Sequence, residues 1–212
     1  MRQYSFTSEE IGLIHKLLSR PVKRILYGVV YFLFEFDDSA ILLKCEDMPA
    51  DSINKSDEAI VARLELLPLN SKYSGQGDIV AENKSIDRAW MVNTMLTFTP
   101  YQKNTLEALA ALKADYEQTK AATGVDDLFK KALATTIGGY DEVICHPNSE
   151  QARSLDPANA NLLTVGLLLQ IEGRYLRAFI PDNAYGFGIF ANNFFIPQEE
   201  IAEWSNYEFV GL

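Results

Sequence analysis

Lysine and arginine are missing from this chain after Arg177, histidine occurs only at positions 15 and 146, and cysteine only at 45 and 145. Two cysteines are too few for the disulfide framework of a small secreted domain, so reduced thiols are expected. With two histidines and two cysteines far apart and no CxxC or HExxH spacing, no imidazole- or thiolate-based metal site is expected. No stretch concentrates basic residues, which argues against a nucleic-acid partner, because Lys and Arg supply most non-specific affinity for phosphate. The longest apolar run, Ile25 to Phe34, is about half a bilayer span, and the first ten residues lack the apolar core and cleavage site of a signal peptide. A cytoplasmic protein without a membrane partner is therefore expected.

Cofactor and nucleophile motifs are equally scarce. Gly75-Gln76-Gly77 and Gly186-Phe187-Gly188 are fragments, neither completed as GxGxxG nor followed by the GK[ST] of a phosphate loop, and no GxSxG elbow occurs. No cofactor is expected. Cys145-His146 is the one nucleophile-and-base candidate. In a strand, however, adjacent side chains point to opposite faces, so these two residues cannot form a dyad with each other. A buried cysteine and a turn histidine before Pro147 is the simpler reading. His15 is placed with Ile11 and Leu18 on the apolar face of the first helix.

What is present is ordinary globular composition, 48% hydrophobic and 23% charged over 212 residues, enough for one compact α+β unit. The formal charge of −10 is concentrated. Residues 35–65 carry nine acids, among them Asp37, Asp38, Glu46 and Asp47, against Lys44, Lys55 and Arg63. The end of the chain carries Asp182, Glu199, Glu200, Glu203 and Glu208, and ten aromatic residues lie between Tyr175 and Phe209. Asp37, Asp38, Glu46 and Asp47 sit at the two ends of one expected hairpin arm, without the spacing of a calcium loop.

The local pattern predicts a helix opened by the capping-box pair Thr7 and Glu10 and stopped by Pro21. A long-armed hairpin follows, with arms 22–36 and 40–45 turning at Asp37-Asp38-Ser39, then a strand over 59–67. Residues 70–84 read as a loop and a candidate internal boundary, and 86–98 as a strand. Ala, Leu, Glu and Lys at helical spacing predict a central helix over 102–122, with a second over about 126–134. A strand at 142–145 precedes a polar loop over 148–161. A second hairpin, 163–171 and 175–180, turns at Glu172-Gly173-Arg174, a strand-like piece spans 185–190, and a helical turn or two follows Pro197. The expected fold is α+β, mainly antiparallel sheet with N- and C-terminal hairpins packed on a central helix.

The functional expectation is a non-enzymatic binding module whose acidic, aromatic face meets a basic protein, in the manner of an immunity-type or inhibitor protein. Glu199, Glu200, Glu203, Asp37, Asp38, Glu46 and Asp47 would supply the charge, and Phe194 and Tyr207 exposed anchors. Two alternatives stand beside it: a hydrolytic enzyme with a carboxylate- or Cys145-based site, and a homo-oligomeric structural subunit paired through its aromatic end.

Overall fold

A computed structural model describes residues 2–47, 60–69, 71–100, 110, 114, 140–157, 160–180, 187 and 194–212. The chain divides into two compact units, Met1–Leu96 with Ile144–Leu212, and Thr97–Val143. Residues 70–84 fall inside the first unit. In the second, the described residues are the end of one strand, the start of the next, and Ala110 and Ala114, both helical.

The first unit is built from antiparallel sheet. Strands β2 (Val22–Gly28), β3 (Tyr31–Glu35), β4 (Ala40–Asp47), β5 (Ile60–Leu67) and β6 (Asp78–Lys84) form a five-stranded sheet in the order β5-β4-β3-β2-β6. A seven-stranded sheet contains β1 (Arg2–Tyr4), β7 (Arg88–Pro100), β8 (Tyr140–Cys145), β9 (Ala160–Ile171), β10 (Arg174–Phe179), β11 (Phe195–Ile196) and β12 (Glu208–Gly211). Its path is β11-β10-β9-β7-β12, with β1 parallel to β9 and β8 beside β7. Three helices lie among the described residues: α1 (Ser8–Ser19), α2 (Glu150–Ser154) and α3 (Gln198–Ile201).

This corrects the expected α+β class. The apolar side chains of the described core belong overwhelmingly to strands of two mainly antiparallel sheets. On β3, Phe32 and Phe34 stack with ring centroids 6.4 Å apart on one face, while Leu33 joins Leu26, Ala40 and Leu42 on the other. Phe32 also meets Phe187 edge-on at 5.1 Å, and Tyr27 meets Phe194 at 5.1 Å, so these two C-terminal rings pack on one face of the five-stranded sheet. Burying each such ring stabilises by about 1.5–3 kcal/mol. The predicted helices over 102–122 and 126–134 lie outside the described residues except at Ala110 and Ala114. The strand-like piece at 185–190 does too, except for Phe187, which is buried and donates its backbone N–H to the Val29 carbonyl.

Two local readings also change. The expected arm over 22–36 is two strands, because the chain turns at Val29-Val30 and pairs Gly28 with Tyr31. An apolar turn gives no sequence signal, and these valines are exposed. Residues 78–84 are a strand rather than loop: β6 lies at a sheet edge, where exposure permits the polar sequence Asp-Ile-Val-Ala-Glu-Asn-Lys.

Where turn and cap chemistry was explicit, structure follows it. Thr7 accepts the Glu10 backbone N–H and the Glu10 carboxylate accepts that of Thr7, completing the capping box. α1 buries Glu10, Ile14 and Leu17, which leaves His15 exposed rather than on the apolar face. The β9–β10 hairpin turns through Glu172 and Gly173, both at positive φ, 52° and 74°. Glycine accepts this freely. Glu172 is held there by Lys84 Nζ at 2.8 Å from its carboxylate and by its own N–H donating to Asp87 at 2.9 Å.

Candidate functional site

The seven-stranded sheet has one face that the C-terminal segment covers only in part. Opposed residues in an antiparallel pair share a face, so Trp90 lies with Gly211, Val92 with Phe209, Leu168 with Arg177, and Gln170 with Tyr175. Over Phe179 this face is closed by Trp204, Tyr207 and Phe209, at centroid distances of 5.0, 5.5 and 6.1 Å. Over Trp90 and Tyr175 the described residues leave it open. A pocket of about 380 Å³ is lined there by Trp90, Leu168, Tyr175, Gln198, Ile201, Ala202 and Phe209.

Each wall has a local cause. Trp90 and Tyr175 stand on strands at centroid separation 5.9 Å and interplanar angle 45°. α3 begins after Pro197, whose fixed φ suits a helix entry, and Gln198 and Ile201 on it, with Ala202 just beyond its end, line the pocket. Glu199 and Glu200 are the positions between Gln198 and Ile201, and Glu203 follows Ala202. Glu199 and Glu203 are exposed and form no ion pair among the described residues; Glu200 is half-buried and acts electrostatically on Arg177. Burial lowers the Arg177 pKa, and Glu200 opposes that shift. Its guanidinium carbon lies 5.4 Å from the Trp204 ring centroid. Glu208 lies on the opposite face, opposite Asn93, and accepts from Asn148 Nδ2 at 2.7 Å.

The acids of residues 35–65 are arranged differently. Arg20 holds Asp38 at 2.7 Å and Lys23 lies 3.5 Å from Asp37, both at the β3–β4 turn. Glu46 binds Lys44 at 2.7 Å at the far end of β4, roughly 20 Å away along the strand. Asp47 pairs with Ile60 through the strand register, and its side chain lies outside the described residues. The chain's own bases thus answer these acids, and the two groups do not form one patch with each other.

Phe194 and Tyr207, expected as exposed anchors, are buried, with 9% and 4% of their surface accessible. Phe194 packs on Tyr27, and Tyr207 on Phe179 and Trp204. The half-buried rings of the open face are instead Trp90, Tyr175 and Phe209. Trp90 lies outside the aromatic C-terminal run, so composition alone did not bring it forward; strand alternation at Trp90 and Val92 was the available signal.

Cys145 is 2% exposed, in a cluster with Met95 and Ala160. His146 lies just past the end of β8, where its Nδ1 accepts the Asn148 backbone N–H at 3.1 Å. A second, polar groove of about 460 Å³ lies between α1, β4 and β5 and holds Glu9, Glu10, Glu46 and Glu65 with Lys44 and Arg63. Its bases are engaged: Lys44 bridges Glu46 and Glu65, and Arg63 lies 3.6 Å from Glu10. The Glu46 hydrogen bond raises the Lys44 pKa against desolvation, with Glu65 adding to it. No group of three or more His, Cys, Asp or Glu residues suited to a metal ion occurs among the described residues. No helix among them is long and apolar enough to cross a membrane.

Comparison with protein-family models, curated proteins and solved structures gives no match.

Proposed function

We propose that this chain is a protein-binding module that meets a basic partner through the partly covered face of its seven-stranded sheet. The observation that carries the reading is a juxtaposition at α3 and the turn that follows it: Gln198, Ile201 and Ala202 line an aromatic pocket, and their neighbours Glu199 and Glu203 are exposed and without an ion pair among the described residues. Half-buried aromatic rings supply contact area at low conformational cost, and adjacent acids steer an oppositely charged surface into encounter. The acids of residues 35–65 are secondary in this reading, since Asp37, Asp38 and Glu46 are already answered by Lys23, Arg20 and Lys44. An inhibitor or immunity-type role is one biological form such binding would take.

The test uses paired baits, the wild-type chain and its E199K/E200K/E203K variant, to capture proteins from native lysate at low salt. A basic protein held by the wild type and lost from the variant supports the reading, and its association with the variant is expected to slow by roughly tenfold or more at low salt. Equal retention by both baits rejects it, as does recovery of nothing but a second copy of this chain.

A further inference from the structure

We propose that the pocket between Trp90, Tyr175 and Phe209 is a cage for one arginine side chain of the partner; this rests on the protein-binding reading above. The pocket's size comes first. About 380 Å³ is near the lower end of the roughly 300–1,000 Å³ typical of ligand sites, suited to a single side chain rather than a large cofactor. Two of its lining rings, Trp90 and Tyr175, form a tilted pair. The Trp90 and Tyr175 centroids are 5.9 Å apart and their planes meet at 45°, so one cation seated at the mouth lies within about 6 Å of both rings. Phe209 adds a third ring, and Gln198 offers a carboxamide oxygen to an N–H donor.

The rest of the molecule shows what such rings do when a cation is at hand. Arg20 stands 3.9 Å over Phe36, Arg174 4.3 Å over Phe195, and Arg177 5.4 Å over Trp204. Among the described residues, neither Trp90 nor Tyr175 has a cation of its own. Arg88, the nearest cation in sequence to Trp90, is exposed at the start of β7 and does not line the pocket. The surrounding charge is of the right sign, because α3 carries Glu199 and Glu200, Glu203 follows in the next turn, and no base follows Arg177. Arginine suits the site better than lysine, since a planar, weakly hydrated guanidinium stacks on aromatic faces and keeps its N–H donors at its edge, whereas an ammonium must shed a tightly held hydration shell.

The probes are four acetylated, amidated tripeptides, Gly-X-Gly, in which X is arginine, lysine, citrulline or leucine. The readout is the Trp90 indole N–H resonance of the full chain, assigned by its loss in W90F. The arginine peptide is expected to shift this resonance saturably and leave that of Trp204 in place; the neutral citrulline isostere is expected to bind roughly tenfold more weakly. Tyr175→Leu, which keeps apolar bulk and removes a ring, is expected to lose affinity for the arginine peptide and keep that for the leucine peptide. Equal binding of citrulline or leucine by the wild type would overturn the proposal, as would no shift up to the solubility limit. That comparison needs no variant to fold. If the arginine peptide binds while E199K/E200K/E203K leaves protein capture unchanged, the cage stands and the acidic-face reading fails; if capture is charge-dependent and Trp90 never moves, the cage fails alone.

Discussion

Replacing Glu10 by alanine should destabilise the first unit by roughly 2–4 kcal/mol. Glu10 is 7% exposed, and its carboxylate makes two backbone contacts: Oε2 accepts from Thr7 N at 2.7 Å, and Oε1 from Leu64 N at 2.9 Å. The first bond is half of the α1 capping box. The second reaches an N–H of β5, an outer strand of its sheet, where no further strand among the described residues is available to receive it. Leu64 is itself 7% exposed, so losing its acceptor leaves a buried donor, at about 1–3 kcal/mol. Losing the capping contact adds about 1 kcal/mol. Thr7→Ala, which removes only the acceptor for the Glu10 N–H, should cost about 1 kcal/mol by itself. Glu10→Gln keeps one acceptor oxygen and turns a donor toward the other N–H, so it should fall between them. Urea unfolding followed by tryptophan fluorescence reports on the correct unit, because Trp90 and Trp204 both belong to it. If Glu10→Ala proves no more costly than Thr7→Ala, the tie between α1 and the edge of β5 carries no stability and the reasoning is wrong.

Three further outcomes are expected. Gly166 lies at φ +143° with the Ala178 carbonyl oxygen and Phe179 where a Cβ would sit, so Gly166→Ala should cost about 2 kcal/mol or more in the same assay; a loss under about 0.5 kcal/mol would contradict the crowding. Burial pushes the Cys45 thiol up from 9.0 to about 12, so native-state alkylation near pH 8 should run roughly a thousandfold slower than in the urea-unfolded chain, and the associated stability should be present below pH 9 and lost between 9 and about 12. Comparable native and unfolded labelling rates would refute that. The Arg20 hydrogen bond, followed by that of Ser39, holds the Asp38 carboxyl far below its ordinary 3.8; the stability it contributes is present above that value and lost as pH falls toward the lower folded one. Asp38→Asn should therefore flatten this part of the acid transition, and added salt should shrink the difference because the pair is exposed; identical acid slopes for wild type and variant would rule it out.

Legibility in the sequence tracked how local the determining chemistry was. The Thr7–Glu10 box, the Glu172-Gly173 turn and strands read at 59–67, 86–98, 142–145, 163–171 and 175–180, which overlap the observed ones, were legible because caps, turn residues and side-chain alternation act within a few positions. The turn at Val29-Val30 was not, since two valines carry no turn chemistry. Nor was β6, whose polar sequence is permitted only by its place at a sheet edge. The short strands β1, β11 and β12 have three, two and four residues, too few for any periodicity, and owe their existence to the neighbours they pair with.

The functional face divides in the same way. Sequence by itself determined the sign of the charge, the clustering of acids and aromatics toward the C-terminus, and the absence of catalytic and metal-binding motifs, because these are properties of composition and spacing. Only the tertiary structure decided which acids are answered by the chain's own bases, that Phe194 and Tyr207 are core, and that Trp90, more than eighty residues before Tyr175, stands 5.9 Å from it. Burial and ring proximity are set by strand order, and strand order is the outcome of long-range pairing that no local window of side chains contains.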